Sequence, residues 1–242
     1  MYDTNLLGWD EGTLQLTATL SGTGVVHVAA APGFPSELDC GSSSILNGPV
    51  INVDSGGNLI FDAPGGSGCQ ITGGAVNNSG TAVWKSNTLT LVSPGIFNNL
   101  AGGLFDCQIM NNSVDGNILG NGTVNNAGTF RKSKGTNAII FASYGPGFNN
   151  SGLLDVASGK VQLSSGTNSG TFSMTPGAEI WFAGNTNTFV AGAQIAGTNF
   201  VRVNQSAVLL LRTNLTVANF QLNSGDVGWP GRFNRVQYFQ LD

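Results

Sequence analysis

Short runs in which apolar and polar residues alternate recur along the chain. Examples are residues 14–17, 89–91, 161–163 and 201–203. Alternation with a period of two is typical of β-strands that bury one face. No stretch of the sequence shows a helical period. The pattern therefore predicts an all-β chain built from many short strands.

A phrase of one apolar residue, two asparagines, small residues and glycine repeats between these runs. Its copies begin at Val76, Phe97, Val124 and Phe148, which are separated by 21, 27 and 24 positions. We interpret Phe172, 24 residues further on, as a degenerate fifth copy without the asparagine pair. The repeat predicts a single parallel β-solenoid of about eight coils of roughly 24 residues each. A right-handed β-helix is expected, because crossovers between parallel strands are right-handed.

The regularity of the repeat divides the chain, which we interpret as one domain. Residues 75–225 carry the regular repeats, and residues 1–74 are expected to form irregular N-terminal coils or a cap. Residues 226–242 are expected to form a C-terminal cap or linker, since bulky aromatic residues can cover the end of a solenoid. The same stretch contains the candidate glycan-binding residues Trp229, Arg232, Arg235 and Tyr238.

The paired asparagines have two interpretations. Amide side chains could line a sugar-binding groove, or identical amides on successive coils about 4.8 Å apart could hydrogen-bond to one another. The second interpretation is favoured, because asparagine also suits the corners of a solenoid. The predicted structural ladder consists of Asn77, Asn78, Asn98, Asn99, Asn125, Asn126, Asn149 and Asn150.

The composition excludes several classes of partner. Only 9% of the residues are charged, the net charge is -4, and the nine basic residues are too few for nucleic-acid binding. No apolar run approaches the length of a membrane span. Three cysteines and one histidine predict neither a metal site nor a cofactor. Cys40 and Cys69, about one coil apart, could form a disulfide or could be buried thiols.

The candidate catalytic residues are few. Arg131, Lys132 and Lys134, with Tyr144 and Asp155 in the next coil, could serve a polysaccharide lyase or hydrolase. However, Arg131 and Asp155 lie at the same offset within their repeats, which favours a surface ion pair between neighbouring coils. Catalysis is therefore not the favoured interpretation. Thr-x-Thr pairs at residues 17–19, 88–90 and 186–188 suggest ice binding as a lesser alternative.

In phrases such as residues 125–130 and 148–153, the chain resembles Asn/Gly-rich repeats of large secreted bacterial surface proteins. These repeats are of the autotransporter-adhesin or filamentous-haemagglutinin kind, and the similarity covers roughly residues 75–225. The resemblance implies a β-helix with a structural or adhesive role, secreted or at the cell surface. Expected partners are a polysaccharide, a cell-surface ligand or further copies stacked end to end. The alternative is a carbohydrate-active module that binds or cleaves an acidic polysaccharide.

Overall fold

A computed structural model describes residues 6–9, 12–30, 36–64, 68–85, 88–110, 115–142, 145–228, 231 and 233–241. Side chains are described within these ranges from residue 13 to residue 231. The described residues form strands and turns without a helix. Accordingly, none of them belongs to a helix that could cross a membrane.

The strands are short, as the alternating pattern predicts. In chain order they are β1 (Leu6–Trp9), β2 (Gly12–Leu16), β3 (Thr19–Ser21), β4 (Val25–Val28), β5 (Ser36–Cys40), β6 (Ile45–Asn47), β7 (Val50–Val53), β8 (Asn58–Phe61), β9 (Cys69–Thr72), β10 (Ala75–Asn78), β11 (Thr81–Trp84), β12 (Thr88–Val92), β13 (Ile96–Asn99), β14 (Leu104–Cys107), β15 (Gly116–Gly120), β16 (Thr123–Asn126), β17 (Thr129–Lys132), β18 (Ala138–Phe141), β19 (Gly147–Asn150), β20 (Leu153–Val156), β21 (Lys160–Leu163), β22 (Gly166–Asn168), β23 (Thr171–Met174), β24 (Glu179–Ala183), β25 (Thr186–Phe189), β26 (Gln194–Ala196), β27 (Phe200–Asn204), β28 (Ala207–Leu211), β29 (Leu215–Leu222), β30 (Gly225–Gly228) and β31 (Phe233–Leu241).

Successive strands join three parallel sheets in turn. Sheet A is β1-β4-β7-β10-β13-β16-β19-β22-β25-β28-β30, and sheet B is β2-β5-β8-β11-β14-β17-β20-β23-β26. Sheet C is β3-β6-β9-β12-β15-β18-β21-β24-β27-β29-β31. Sheet B has nine strands, so nine coils have three sides, and the last two coils add strands to sheets A and C only. The predicted all-β parallel β-solenoid is confirmed.

The irregular N-terminal part of the sequence belongs to the same three sheets. Val25 pairs with Val50, and Val50 pairs with Ala75, which begins the first regular repeat. The coils there are about as long as the later ones but lack the double asparagine, which explains why the sequence pattern is weak.

The core is a stack of inward-facing apolar side chains. In sheet B, Phe105 and Phe130 come from adjacent strands, are fully buried and stack with ring centroids 4.8 Å apart. In sheet A, Phe97 packs edge-on against Phe105 at 4.9 Å. Close packing of rings across the coils fills the interior without polar residues at these positions.

The interpretation of Phe172 as a fifth copy of the repeat is wrong. Asn150 pairs with Asn168, so the next coil of sheet A lies 18 residues on, in β22. Phe172 belongs to sheet B, where it pairs with Leu154 in the core. The coil after β19 is six residues shorter than the one before it, and this shift placed the expected copy on the wrong side of the solenoid.

Glycines are stacked where sheet A turns into sheet B. A methyl group added to Gly152 would lie 2.2 Å from the carbonyl oxygen of Gly128, and one added to Gly170 would lie 2.1 Å from that of Gly152. Gly128 stands equally close to Gly103. The close approach of successive turns therefore requires glycine here, and this corner holds the asparagines next to it in line.

Candidate functional site

Two of the predicted catalytic residues form an ion pair on the outer face of sheet B. Arg131 and Asp155 are register partners on β17 and β20, and Nε of Arg131 lies 2.8 Å from Oδ2 of Asp155. The pair is partly exposed, so its contribution to stability is at most about 1 kcal/mol. This is the surface ion pair that the equal offsets in the sequence predict.

Lys132 points in the opposite direction, into the solenoid. Its side chain is buried beneath Cys107 of the preceding coil, and Nζ donates hydrogen bonds to the carbonyl oxygens of Lys134 and Gly135 at 2.6 and 2.8 Å. Burial lowers the pKa of the Lys132 ammonium from its ordinary value. The two carbonyls offset part of the cost of burying this charge.

The remaining candidates do not join these residues. Nζ of Lys134 donates to Oε1 of Gln108 at 3.0 Å, and Gln108 in turn donates to Asp106. Tyr144 lies outside the described residues. Arg131, Lys132 and Lys134 therefore have three separate sets of partners and do not converge on a shared surface.

The C-terminal candidates are only partly described. Trp229 and Arg232 lie outside the described residues. Arg235 and Tyr238 lie on β31, in register with Thr216 and Asn219 of β29, and only their place in the strand is described. The glycan platform predicted for these four residues stays a prediction.

The asparagines form two parallel ladders, as predicted, and each ladder has a distinct position. The outer ladder faces solvent on sheet A. It consists of Asn52, Asn77, Asn98, Asn125 and Asn149, and each Nδ2 donates to Oδ1 of the preceding member at 2.9 to 3.0 Å. Asn52 was missed in the sequence because its neighbour in β7 is Val53 rather than a second asparagine.

The inner ladder is buried at the corner between sheets A and B. It consists of Asn78, Asn99, Asn126 and Asn150, all at most 1% exposed. The first three donate to Oδ1 of the following member at 2.7 to 2.8 Å. The second N–H of Asn126 reaches the carbonyl oxygen of Leu153, the first residue of the next sheet B strand, at 3.0 Å. The inner amides thus tie each coil to the next at the corner.

The two ladders point in opposite directions along the solenoid. Backbone carbonyls of sheet B orient the inner amides, because each must receive an N–H from the asparagine below it. The backbone N–H of Thr167 donates to Oδ1 of Asn149 at 3.0 Å, which turns the outer amides the other way. Both orientations are therefore set by backbone groups.

A groove of about 260 Å³ runs beside the outer ladder, and we call it the ladder groove. One wall is formed by Asn98, Asn125 and Asn149, and the other by the turn residues Leu100, Ala127 and Ser151. Thr167 and Ser169 line it in the last of its four coils. The residues that line the ladder groove are all uncharged.

A second surface cluster, on the outer face of sheet C, was missed in the sequence. Glu179 forms a two-point ion pair with Arg202, and Nε1 of Trp181 donates to Glu179 at 2.6 Å. Nζ of Lys160 lies 4.2 Å from the centre of the Trp181 ring. Burial raises the pKa of the Glu179 carboxyl, but the hydrogen bonds from Arg202 and Trp181 outweigh it, so the pKa is lowered.

The three cysteines are buried free thiols. Of the two alternatives for Cys40 and Cys69, the structure has the unlinked one. A hydrogen bond with the Cys69 thiol and burial together raise the pKa of the Cys40 thiol. Within the described part of the chain, no three His, Cys, Asp or Glu side chains gather in a way that could hold a metal ion.

The threonine pairs lie on different faces. Thr88 and Thr90 belong to β12 in sheet C, whereas Thr186 and Thr188 belong to β25 in sheet A. They do not form one ranked surface of the kind that ice binding would need.

Comparison of the chain with protein-family models, curated proteins and solved structures found no match. The functional argument therefore rests on the residues and their geometry.

Proposed function

We propose that the chain is a non-enzymatic structural or adhesive β-solenoid module of a secreted or cell-surface bacterial protein. One observation carries the proposal. Two hydrogen-bonded amide ladders link successive coils, and the inner one runs through the buried corner. Such a device holds an elongated shape, since each coil contacts only its neighbours and must be fixed to them.

The placement of the charges supports the same proposal. Arg131 is paired with Asp155, and Lys132 is turned inward onto two backbone carbonyls. A lyase acting on an acidic polysaccharide needs a base and a cation that face one substrate. The basic residues of this chain are distributed as expected for a scaffold.

The test is incubation of the purified chain with acidic and neutral polysaccharides, following retention on the polymer and release of unsaturated ends by ultraviolet absorbance. We expect no turnover. Turnover that is lost in Arg131→Ala or Lys134→Ala would overturn the proposal and make the basic residues a site. Retention without turnover would support an adhesive role, and the absence of both would support a role in extension.

A further inference from the structure

The ladder groove has a surface chemistry that the scaffold itself does not require. We propose that it binds a neutral, extended polysaccharide lying along the solenoid axis. This inference rests on the proposed function and specifies its adhesive part.

The outer amides keep hydrogen-bonding capacity that the inner amides have used. An asparagine side chain offers two N–H donors and an oxygen with two lone pairs. In the described chain, Asn98, Asn125 and Asn149 each donate one N–H and accept one hydrogen bond along the ladder. Each therefore presents one further donor and one further acceptor without a protein partner. The hydroxyl groups of a sugar both donate and accept, so they can satisfy this pair.

The facing wall supplies apolar contact. Leu100 is 40% exposed, which is unusual for a leucine in this chain, and Ala127 follows it one coil later. The C–H face of a sugar ring can pack on such side chains while its hydroxyl edge meets the amides. A groove with one apolar wall and a few placed polar groups is typical of small-ligand sites.

Charge selects a neutral ligand. The groove contains no charged side chain to pair with a carboxylate or sulfate, and the chain carries a net charge of -4. An anionic polymer would therefore lose hydration without gaining an ionic partner.

The length and period of the groove favour an extended chain. Its four coils, from Asn98 to Thr167, span about 14 Å at the ordinary strand spacing. A β-1,4-linked glycan advances by nearly one coil spacing per sugar, so successive sugars can meet successive amides. The turn at residues 100–103 is two residues longer than that at residues 127–128, and it bounds the groove at one end.

The experiment is isothermal titration of the full chain with cellohexaose, and with maltohexaose as the matched ligand of the same sugar and length. Maltohexaose is curved by its α-1,4 linkages. We expect binding of cellohexaose at millimolar or lower concentration and much weaker binding of maltohexaose. Equal binding of the two, or no binding of either, would overturn the proposal. So would binding of a neutral strand-forming peptide in preference to cellohexaose.

Two substitutions locate the site. Asn125→Ala should weaken cellohexaose binding about tenfold, because it removes two hydrogen bonds to the ligand. Asn52→Ala, in the same ladder but outside the groove, should change it less than about twofold. Leu100→Ser tests the apolar wall without touching the ladder and should also weaken binding. Equal effects of Asn125→Ala and Asn52→Ala would overturn the assignment.

A failure of this proposal is distinguishable from a failure of the structural role. Glycan binding depends on the outer ladder, whereas the structural role depends on the buried inner ladder and is measured by unfolding without any ligand.

Discussion

Asn125 and Asn126 are neighbours in one strand, yet they stand in different environments. Asn126 is 1% exposed and uses both N–H groups and its oxygen within the protein. Asn125 is half-buried, and its ladder bonds leave part of its capacity open to solvent. At the residue scale, the alternation of the strand therefore separates a structural asparagine from one available for binding.

Asn126→Ala should destabilise the protein by about 3 kcal/mol, because it leaves buried partners on both adjacent coils without hydrogen bonds. Asn125→Ala should cost less than about 1 kcal/mol, because water can replace the lost contacts. Guanidinium unfolding followed by circular dichroism measures both. Equal losses would contradict the division into inner and outer ladders.

Lys132→Met should alter how stability depends on pH. Burial lowers the folded-state pKa of Lys132, so the unfolded chain holds this proton up to a higher pH. The contribution of Lys132 to stability therefore rises with pH, from the lowered folded-state pKa to the ordinary value of about 10.4. Below that window the wild type bears the cost of the buried charge.

We expect the free energy of unfolding of Lys132→Met, relative to wild type, to decrease as pH rises from neutral to about 10.4. Urea unfolding at a series of pH values measures this difference. Lys134→Met is the matched control, since Lys134 is exposed, and it should show no such trend. A constant difference for Lys132→Met would argue against a lowered pKa.

At the scale of elements, the turns decide how closely coils approach. The two-residue turns from sheet A to sheet B bring glycine against the carbonyl oxygens of the preceding turn. This contact fixes the position of the inner asparagine, which immediately precedes the turn in β10, β16, β19 and β22.

Gly152→Ala should destabilise the protein by more than about 2 kcal/mol, because the new methyl group would meet a backbone oxygen that cannot move aside. The control is Gly147→Ala, three residues from the inner asparagine of the same coil. There the methyl group would meet only Ser165 Oγ, at 3.7 Å, and we expect little change. Thermal unfolding compares the two, and similar midpoints would contradict the steric argument.

The strands and ladders could be predicted from the sequence because alternation and paired asparagines are local signals. The inward direction of Lys132 was also visible in principle, two residues after Phe130 in one strand. Its burial depends on carbonyls from the following turn, which no pattern reveals. The fifth rung was available in Asn168-Ser169-Gly170-Thr171, which matches Asn78-Ser79-Gly80-Thr81. It was missed because the search followed the apolar residue at a constant period.

The cluster of Lys160, Glu179 and Arg202 was harder to find. These residues are 19 and 23 positions apart, and coils of different length conceal that Glu179 pairs with Lys160. Register has to be known before outward-facing residues can be assigned to one surface.

On the scale of the whole molecule, the two ends of the solenoid differ. Sheet B stops at β26, and a cavity of about 280 Å³ separates Ile195 from Thr216 on β29. Ile195 is only partly buried, unlike Phe172, its fully buried partner on β23. The last two coils therefore have fewer neighbours to hold them.

We expect amide hydrogens in β28 and β30 to exchange faster than those in β16 and β19, through opening of the last coils without global unfolding. Hydrogen exchange followed by mass spectrometry on peptides resolves these segments. Uniform protection along the chain would show that the two-sided coils are as stable as the three-sided ones.

The opposed orientation of the two ladders affects the electrostatics of a growing stack. Amide dipoles aligned in one row add together, as peptide dipoles do along a helix. Here the second row runs against the first, so their fields largely cancel along the axis. A gene that gained or lost a repeat by duplication could then change the length of the rod without building up polarity between its ends.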